Sequence, residues 1–329
     1  MATYKGIQGF TIQNLSADPS NPIEGQVWYN STSNVWKVEE ATTVGSWATG
    51  GNMGTTRRAL RGAGTQTASL AFGGNTPASP PFTAATEEYD GAAWTTGGNL
   101  GTARAYLGNA GTQTAALAFA GTPPPTGVNN TEEYDGAAWT AGGNLGTTRS
   151  QQAGAGIQTA ALSAGGEAIA TVATGATEEY DGASWTAGGT MATARRSLAG
   201  CGLQTAALGF GGYIPGTGNT GATEEYDGST WTAGGSLNTA RVHLAGAGTQ
   251  TAGLAFGGTT GSATGATEEY DGSTWTSSPA SLATARFELA GAGTQTSALA
   301  SGGTIPPATA ATEEWTGPGA LTTKTITVS

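Results

Sequence analysis

The sequence is dominated by a repeat of about 45 residues. The string Thr-Glu-Glu-Tyr-Asp-Gly begins five times and a degraded copy follows, with spacings of 45, 46, 46, 44 and 45 residues, at Thr86, Thr131, Thr177, Thr223, Thr267 and Thr312. A regular period in this range is typical of arrays in which one supersecondary unit is copied and buries its faces against its neighbours. One array can therefore hold a chain of 329 residues that length alone would divide in two.

Each copy predicts four short strands. An Arg after Thr-Thr or Thr-Ala opens the unit, and a strand of small residues, a Gln-Thr turn and an apolar strand ending in Gly-Gly follow. A variable loop leads to Thr-Glu-Glu-Tyr, and Asp-Gly then predicts a tight hairpin before a short strand that carries a Trp. No window has helical periodicity. The 56 Gly could indicate disorder, but aromatic residues at fixed repeat positions favour an ordered all-β protein.

Two features of the sequence ends predict that the array closes on itself. The last copy lacks the Asp-Gly and the second Trp, whereas Trp47 has no complete unit before it. We therefore expect the segment that ends at Trp47 to supply the outer strand of the last unit, since such units are stable only in a closed ring. Residues 324–328 alternate like a strand and add either to that unit or to a hairpin predicted at 26–38. The predicted division is an attachment segment, 1–46, and a propeller, 47–329.

The repeat resembles the kelch family. The features shared over residues 47–315 are Gly-Gly after the second strand, Glu-x-Tyr-Asp, a Trp about five residues after the Tyr, and an Arg that opens the next unit. The resemblance implies a six-bladed, kelch-like β-propeller of four-stranded blades, here with an N-terminal β-hairpin extension. The chain departs from kelch repeats in having Ala, Gly and Thr where larger hydrophobic residues are usual.

A second resemblance concerns the N-terminal segment. Residues 4–10 and 25–30, Tyr-Lys-Gly-Ile-Gln-Gly-Phe and Gly-Gln-Val-Trp-Tyr-Asn, resemble the opening of structural proteins of tailed bacteriophages, notably marine ones. This resemblance implies a protein of the virion, in which residues 1–46 dock to other virion proteins.

Composition excludes several classes of partner and site. A net charge of -11 leaves no basic surface for nucleic acid. No apolar run approaches the roughly 18 residues of a membrane span, so no membrane insertion is expected. The single cysteine, Cys201, excludes an internal disulfide and is read as a small buried residue. The N-terminus lacks the regions of a secretory signal, which predicts synthesis and folding in the host cytoplasm.

The recurring charged and aromatic residues are interpreted as structural. Neighbouring side chains on a strand face opposite sides, so the two Glu of a pair cannot form one acid–base or metal site. We expect one Glu to pair with a repeat Arg, for example Glu178 with Arg149 or Arg195, fixing one blade to another, and the other Glu to be solvated. The Trp residues are expected to pack between blades, with a carbohydrate platform as the alternative. These residues are Arg57, Arg104, Arg149, Arg195, Arg241, Arg286; Glu87, Glu132, Glu178, Glu224, Glu268, Glu313; Trp47, Trp94, Trp139, Trp185, Trp231 and Trp275.

No catalytic or metal site is predicted. The Asp of each Asp-Gly is explained by its turn, and no run of oxygen ligands suits calcium. His243 is the only histidine and has no partner motif, which argues against a triad, and against the multi-ligand copper site of some kelch-like propellers. We therefore expect no cofactor, no metal and no enzymatic activity.

The units differ from one another in two places. The first is the residue pair after each repeat Arg, and the second is the loop after Gly-Gly, including residues 77–82, 123–130, 167–174 and 213–219. In a four-stranded blade both lie at the same end, where binding residues are commonly held by a rigid scaffold. Neutral drift in exposed loops is the alternative explanation. The candidate ligand-binding residues are Arg58, Tyr106, Gln151, Arg196, Tyr213, His243, Phe287 and Glu288.

Three functions are consistent with these features. The first is a non-enzymatic, homo-oligomeric phage adhesin of the tail fibre, tail tip or baseplate, whose loop face contacts a host-surface glycan or protein receptor. The second is a decoration protein that stabilises the capsid or tail without a receptor. The third is a carbohydrate-active enzyme, which would need an acidic pair converging at the propeller centre.

Overall fold

The computed structural model describes residues 13–20, 23–41, 44–79, 81–122, 127–168, 172–319 and 321–326. These residues form strands and turns only, and none of them belongs to a helix long and apolar enough to cross a lipid bilayer. Two compact units are present, one comprising Ser46–Thr316 and the other comprising described residues of the two chain ends.

The larger unit contains six four-stranded antiparallel sheets, which we number in chain order. Sheet 1 is Arg61–Gly64, Ser69–Phe72, Thr86–Tyr89 and Trp94–Thr96. Sheet 2 is Gly108–Gly111, Ala116–Phe119, Thr131–Tyr134 and Trp139–Ala141. Sheet 3 is Ala153–Ile157, Ala160–Ala164, Thr177–Tyr180 and Trp185–Ala187. Sheet 4 is Ala199–Leu203, Ala206–Phe210, Thr223–Tyr226 and Trp231–Gly234. Sheet 5 is Ala245–Gly248, Gly253–Phe256, Ala266–Tyr270 and Trp275–Ser281. Sheet 6 is Ala290–Gly293, Ser297–Ser301, Thr312–Thr316 and Ser46–Thr49.

Two short ribbons accompany the sheets, Arg149–Ser150 with Glu167–Ala168 and Tyr213–Ile214 with Gly218–Asn219.

The sheets follow one another around a ring. The first strand of each sheet contacts the first strands of the sheets before and after it, and that of sheet 6 contacts that of sheet 1. Small residues allow this close approach: a Cβ on Gly154 would lie 2.1 Å from the Asn109 carbonyl oxygen. The fold is thus all-β and propeller-like, and the abundance of Gly and Ala in its innermost strands has a steric cause.

The ring is completed from the N-terminal side. Ser46–Thr49 pairs antiparallel with Thr312–Thr316, and Trp47 lies opposite Trp315. The missing Asp-Gly and Trp of the last copy are therefore replaced by a strand from the other end of the chain.

Trp side chains connect each sheet to the one before it. The indole Nε1 of Trp139 donates to Thr86 Oγ1 at 2.9 Å, and its ring packs against Phe72 at a centroid distance of 5.0 Å. The same Trp-to-Thr bond recurs at 2.9 Å at every junction, from Trp47, Trp94, Trp185, Trp231 and Trp275. This is the packing role predicted for the Trp series.

Gln side chains form a second inter-sheet link. The Nε2 of Gln113, in the Gln-Thr turn, donates to the carbonyl oxygens of Ser69 and Tyr89 in the preceding sheet, at 3.1 and 2.7 Å. Equivalent pairs of bonds are made by Gln66, Gln158, Gln204, Gln250 and Gln295. A single conserved turn residue within the repeat therefore fastens every junction.

The second Glu of the pair is bonded across a junction, and the expectation that it is solvated was wrong. Tyr134 donates its hydroxyl to Glu88 Oε1 of the preceding sheet at 2.5 Å. Four further junctions have the same bond, from Tyr89, Tyr180, Tyr226 and Tyr270. Both faces of a sheet in the ring are covered by neighbouring sheets, so a side chain that points away from the repeat Arg still meets protein.

Glu269 is the exception, because Trp315 stands where the next unit would supply Tyr. Burial raises the pKa of Glu269. A carboxyl with a higher pKa in the folded chain destabilises the fold once pH exceeds the unfolded-state value, about 4.3. We expect Glu269→Gln to raise the melting temperature at pH 7 and to have no effect near pH 4.

The matched control for this prediction is Glu225→Gln, which weakens the acceptor of the Tyr270 hydroxyl, 2.5 Å away, and should lower the melting temperature at pH 7. Thermal melts of both variants across pH 4 to 7 test the argument. Equal shifts of the same sign in the two variants would contradict it.

The smaller unit has one four-stranded sheet. Gln13–Leu15 pairs in parallel with Val27–Asn30, which forms a hairpin with Val35–Ala41, and Leu321–Ile326 adds antiparallel to Val35–Ala41. Of the two positions left open for the C-terminal strand, the structure has the one beside the hairpin. Residues 4–10, which carry part of the phage resemblance, lie outside the described residues.

The exposed Asp18 joins three side chains of this unit through hydrogen bonds. Its carboxylate accepts from Lys37 at 2.6 Å, from Asn30 at 2.7 Å and from the indole of the buried Trp28 at 3.0 Å. These donors, Lys37 first, lower the pKa of Asp18 to about 2. Asp18 and Lys37 thus form an ion pair within the smaller unit.

Candidate functional site

The repeat Arg and the first Glu of each pair form buried ion pairs inside one unit. Arg104 Nη2 lies 2.9 Å from Glu132 Oε1, and the Arg side chain is fully buried. Glu178 pairs with Arg149 of its own unit and not with Arg195. The complete set is Arg57–Glu87, Arg104–Glu132, Arg149–Glu178, Arg195–Glu224, Arg241–Glu268 and Arg286–Glu313. These twelve side chains are not available to a ligand.

The expectation that this pair fixes one blade to another needs correction. The carboxylate partner lies in the same unit, and it is the Arg main chain that reaches the neighbouring sheet: Gly74 N donates to the Arg104 carbonyl oxygen at 2.8 Å. Burial lowers the pKa of Arg104 to about 10. The pair therefore holds together the start and the third strand of one unit, while the backbone of the same Arg positions the sheet before it.

The two variable positions of each unit lie side by side. The residue after the repeat Arg forms a β-bridge with the residue after Gly-Gly, as Arg58 does with Asn75, Arg196 with Tyr213 and Phe287 with Thr304. Both variable sets therefore occupy one end of the ring, which we call the loop face. Residues 80, 123–126 and 169–171 of the predicted variable loops lie outside the described residues.

Six residues at the second position after the repeat Arg form a closed ring on this face. Each has a left-handed backbone, with φ between 53 and 59°. Their main chains are joined in a cycle: each backbone N–H donates to the carbonyl oxygen of the equivalent residue in the preceding unit, at 2.8 to 3.0 Å. The hexad ring consists of Ala59, Tyr106, Gln151, Ser197, His243 and Glu288.

The composition of the hexad ring is informative because none of its members is glycine. A left-handed backbone costs an ordinary residue roughly 1 kcal/mol, and this chain uses Gly at most of its other left-handed positions. Six different side chains are nevertheless retained at equivalent positions of a nearly invariant framework. Unfavourable backbone conformations that persist are concentrated at functional sites.

Glu288 is the centre of one side-chain cluster. Its carboxylate accepts from Arg58 Nη1 at 2.7 Å, from the Tyr106 hydroxyl and from Thr304 Oγ1 at 3.4 Å. The hydrogen bond to Glu288 raises the pKa of Arg58. Burial, and then the charge of Glu288, raises the pKa of Tyr106, so its hydroxyl remains a donor at neutral pH. Tyr106 and Arg58 are thereby held in fixed positions.

Glu167 is the centre of a second cluster. It accepts from Arg196 Nη1 at 2.7 Å and from Gln151 Nε2 at 2.5 Å. The guanidinium of Arg196 also lies over the Tyr213 ring, 5.2 Å from the centroid. Ser197 donates its hydroxyl to Gln151 Oε1. Glu167 thus fixes the orientation of the Arg196 guanidinium, which lies over the Tyr213 ring.

His243 lies between aromatic neighbours. Its ring centroid is 6.0 Å from that of Tyr106 and 6.4 Å from that of Phe287. Burial lowers the pKa of His243, so the imidazole is neutral at pH 7. Among the residues that the structure describes, no three His, Cys, Asp or Glu side chains lie together in a group that could hold a metal ion.

All eight candidate binding residues thus lie on one face, and most touch another member of the set. The sequence interpretation included Glu167 and Ser197 in the variable positions but did not select them as binding residues, and it did not name Thr304; all three support the candidates. The signal was present, because these three stand at the same offsets from the repeat Arg or from Gly-Gly as the residues that were singled out.

Charge is distributed unequally between the two ends of the ring. Within residues 46–316 the cations other than the repeat Arg are Arg58 and Arg196, which follow the repeat Arg at the loop face, and Arg61, which begins the first strand of sheet 1. The Asp-Gly turns lie at the other end beside the Gln-Thr turns: a Cβ on Gly182 would lie 3.5 Å from Thr159. Backbone N–H groups lower the pKa of the exposed turn Asp residues, as at Asp181. Arg58 and Arg196 therefore lie at the end of the ring opposite the turn Asp residues, each paired with a carboxylate of the loop face.

A scan of the chain against models of protein families finds no match, and a search of curated protein sequences finds no significant similarity. The geometry of the loop face is consequently the basis for assigning a function.

Proposed function

We propose that the protein is a six-bladed, kelch-like β-propeller that acts as a non-enzymatic adhesin of a phage virion, at a tail fibre, tail tip or baseplate. Its loop face binds a glycan or protein on the host surface. The observation that carries the proposal is the hexad ring, in which a strained backbone is combined with six different side chains.

The chemistry of the loop face supports binding. Tyr106, Tyr213 and Phe287 offer partly exposed rings, and Arg58 and Arg196 offer guanidinium groups beside them. Aromatic and Arg side chains held rigidly in place contribute most of the energy at many interfaces. The carboxylates of this face, Glu167 and Glu288, each accept from several protein donors, an arrangement suited to orienting neighbours.

The virion assignment rests on the N-terminal resemblance. Residues 25–30 include the strand Val27–Asn30, whose Trp28 is buried against Asp18. In this proposal the smaller unit docks to other virion proteins, and homo-oligomers provide several loop faces per particle, which raises the effective affinity for a surface.

A competition experiment tests the adhesin. Purified full-length protein is expected to block adsorption of the phage to its host. The fourfold variant Tyr106→Ala, His243→Ala, Phe287→Ala and Tyr213→Thr should lose this effect at least tenfold. Each new residue is the one found at the same position of a sister unit, Ala59, Ala105 or Thr122, so the fold should tolerate it.

The matched control changes the opposite end of the ring. Ile157 and Leu203 are exposed there, each the last residue of the first strand of its sheet, and sister units have Thr at this position, so Ile157→Thr with Leu203→Thr should compete like wild type. Antibody labelling of intact particles completes the test. Label over the head together with equal competition by both variants would contradict the adhesin and favour a decoration protein.

A further inference from the structure

The inner surface of the ring departs from its repeat pattern at one place. After the hexad residue, the units read Leu-Ala-Gly-Ala-Gly or nearly so along their innermost strands. Arg61 stands where four sister units have Ala, Asn109 where five have Gly, and Gln152 where five have Leu. These three polar residues belong to consecutive units and line one cavity of about 40 Å³ at the centre of the ring.

Arg61 differs from the other arginines in the described part of the chain because no carboxylate pairs with it. The six repeat Arg, Arg58 and Arg196 each form an ion pair. Arg61 donates Nε to the Leu107 carbonyl oxygen at 2.7 Å and Nη1 to that of Leu60 at 3.4 Å. Burial lowers the pKa of Arg61 to about 10, against the opposing effect of the charges of Tyr106 and Glu288.

Gln152 adds an unsatisfied acceptor to the same cavity. Its side chain is fully buried, its Nε2 donates to the Phe119 carbonyl oxygen at 3.2 Å, and its Oε1 has no hydrogen-bond partner. The Asn109 amide donates to the Gly62 carbonyl oxygen at 2.6 Å. A buried acceptor without a donor is unfavourable, and a Leu at this position, as in the sister units, would avoid the problem.

We propose that this cavity, the channel site, binds a small carboxylate, with Arg61 as the cationic partner and Gln152 Oε1 as acceptor for a hydroxyl of the ligand or a water bound with it. The planar guanidinium matches a planar carboxylate, to which it can donate two parallel hydrogen bonds. The site does not depend on host attachment, and it goes beyond the function proposed above.

The size of the cavity limits the ligand. About 40 Å³ accommodates roughly three water-sized groups, which suits a carboxylate but not a sugar ring. The channel site adjoins a wider cavity of about 100 Å³, which lies between the Gly-Ala-Gly segments of the innermost strands, toward the Gln-Thr turns. A free acid such as acetate can therefore enter whole, whereas an acidic sugar can insert only its carboxylate.

The test uses the full chain at constant ionic strength, with acetate, glycolate or glucuronate titrated against chloride and followed by calorimetry and thermal melts. Acetate and glycolate are expected to bind and to raise the melting temperature. Arg61→Ala, the residue of four sister units, should reduce acetate affinity at least tenfold. The control Ile157→Thr with Leu203→Thr, which changes exposed residues remote from Arg61, should bind like wild type. Gln152→Leu should remove any preference for glycolate over acetate.

The outcomes are distinct. If glucuronate binds and acetate does not, the ligand of the channel site is an acidic sugar that inserts its carboxylate, and not a free small acid. Equal stabilisation by chloride, or an Arg61→Ala protein that binds acetate as wild type does, would overturn the proposal. Saturation transfer from wild-type protein to the acetate methyl group, with acetamide as the neutral control, decides the question even if the variants fail to fold. No transfer to acetate would also overturn it.

Discussion

Replacing Glu178 by alanine is expected to destabilise the protein by about 3–5 kcal/mol, because it leaves the guanidinium of Arg149 buried without its counter-charge. Arg149 is 1% exposed, and Glu178 is its only carboxylate partner among the described residues. Glu178 also accepts from Gly146 N at 2.6 Å and from Thr147 Oγ1 at 2.8 Å. Urea denaturation followed by tryptophan fluorescence would measure the loss.

The neighbouring Glu179→Ala is the matched control. Glu179 accepts the Tyr226 hydroxyl and is partly exposed, so its removal should cost about 1–3 kcal/mol. A double variant, Arg149→Met with Glu178→Leu, should recover part of the loss, because it removes both charges together. A cost for Glu178→Ala no greater than that for Glu179→Ala would refute the view that the buried pair is obligatory.

This pair also illustrates how far the sequence could predict the fold. The equal recurrence of Arg and Glu indicated an ion pair, and the alternation of side chains on a strand correctly separated the two Glu of each copy. Alternation does not reveal what covers the second face, however. In an open sheet that face meets water, whereas in the ring it meets the next sheet, which is why Glu133 accepts from Tyr180 instead of being solvated.

The loop face was predictable in position but not in conformation. When the units are aligned, Tyr106, His243 and Glu288 occupy the same position of the repeat. That position varies while its neighbours hardly change, so it could be identified without a structure. Their left-handed backbones could not be inferred, since Tyr and Glu rarely adopt φ near +55° and the sequence places no Gly there. The inter-sheet hydrogen bonds that impose this conformation depend on closure of the ring.

The same comparison contains the signal for the channel site, which the sequence interpretation did not use. Arg61 stands where most other units have Ala, and Gln152 stands where the other units have Leu. Only the structure shows that both residues line one cavity. Departures from a repeat are informative when they converge in space.

Removal of the ring-closing strand is expected to have the largest effect of all. Without Ser46–Thr49, sheet 6 loses its outer strand, and Thr312–Thr316 becomes an unpaired edge. Trp315, which is fully buried, and Phe256 lose the packing of the Trp47 ring, whose centroid lies 5.3 and 5.0 Å from theirs. The cost should exceed the 3–5 kcal/mol typical of truncating one large buried aromatic residue, so we expect no cooperative unfolding transition and aggregation through the exposed edge.

Two truncated chains isolate this effect from loss of the smaller unit. A chain of residues 45–317 retains the closing strand and should give a cooperative thermal transition by near-ultraviolet circular dichroism and a monodisperse gel-filtration peak. A chain of residues 50–317 should give neither. Placing Asp-Gly-Ser-Thr-Trp-Thr, the sequence of residues 271–276, directly after Trp315 of the shorter chain should restore the transition, because Trp315 occupies the position of Tyr270 and the hairpin of the preceding unit is then rebuilt in register. If the chain of residues 50–317 melts within a few degrees of the longer one, closure of the ring contributes little, and the stability must come from each sheet and its immediate neighbours, as in an open solenoid.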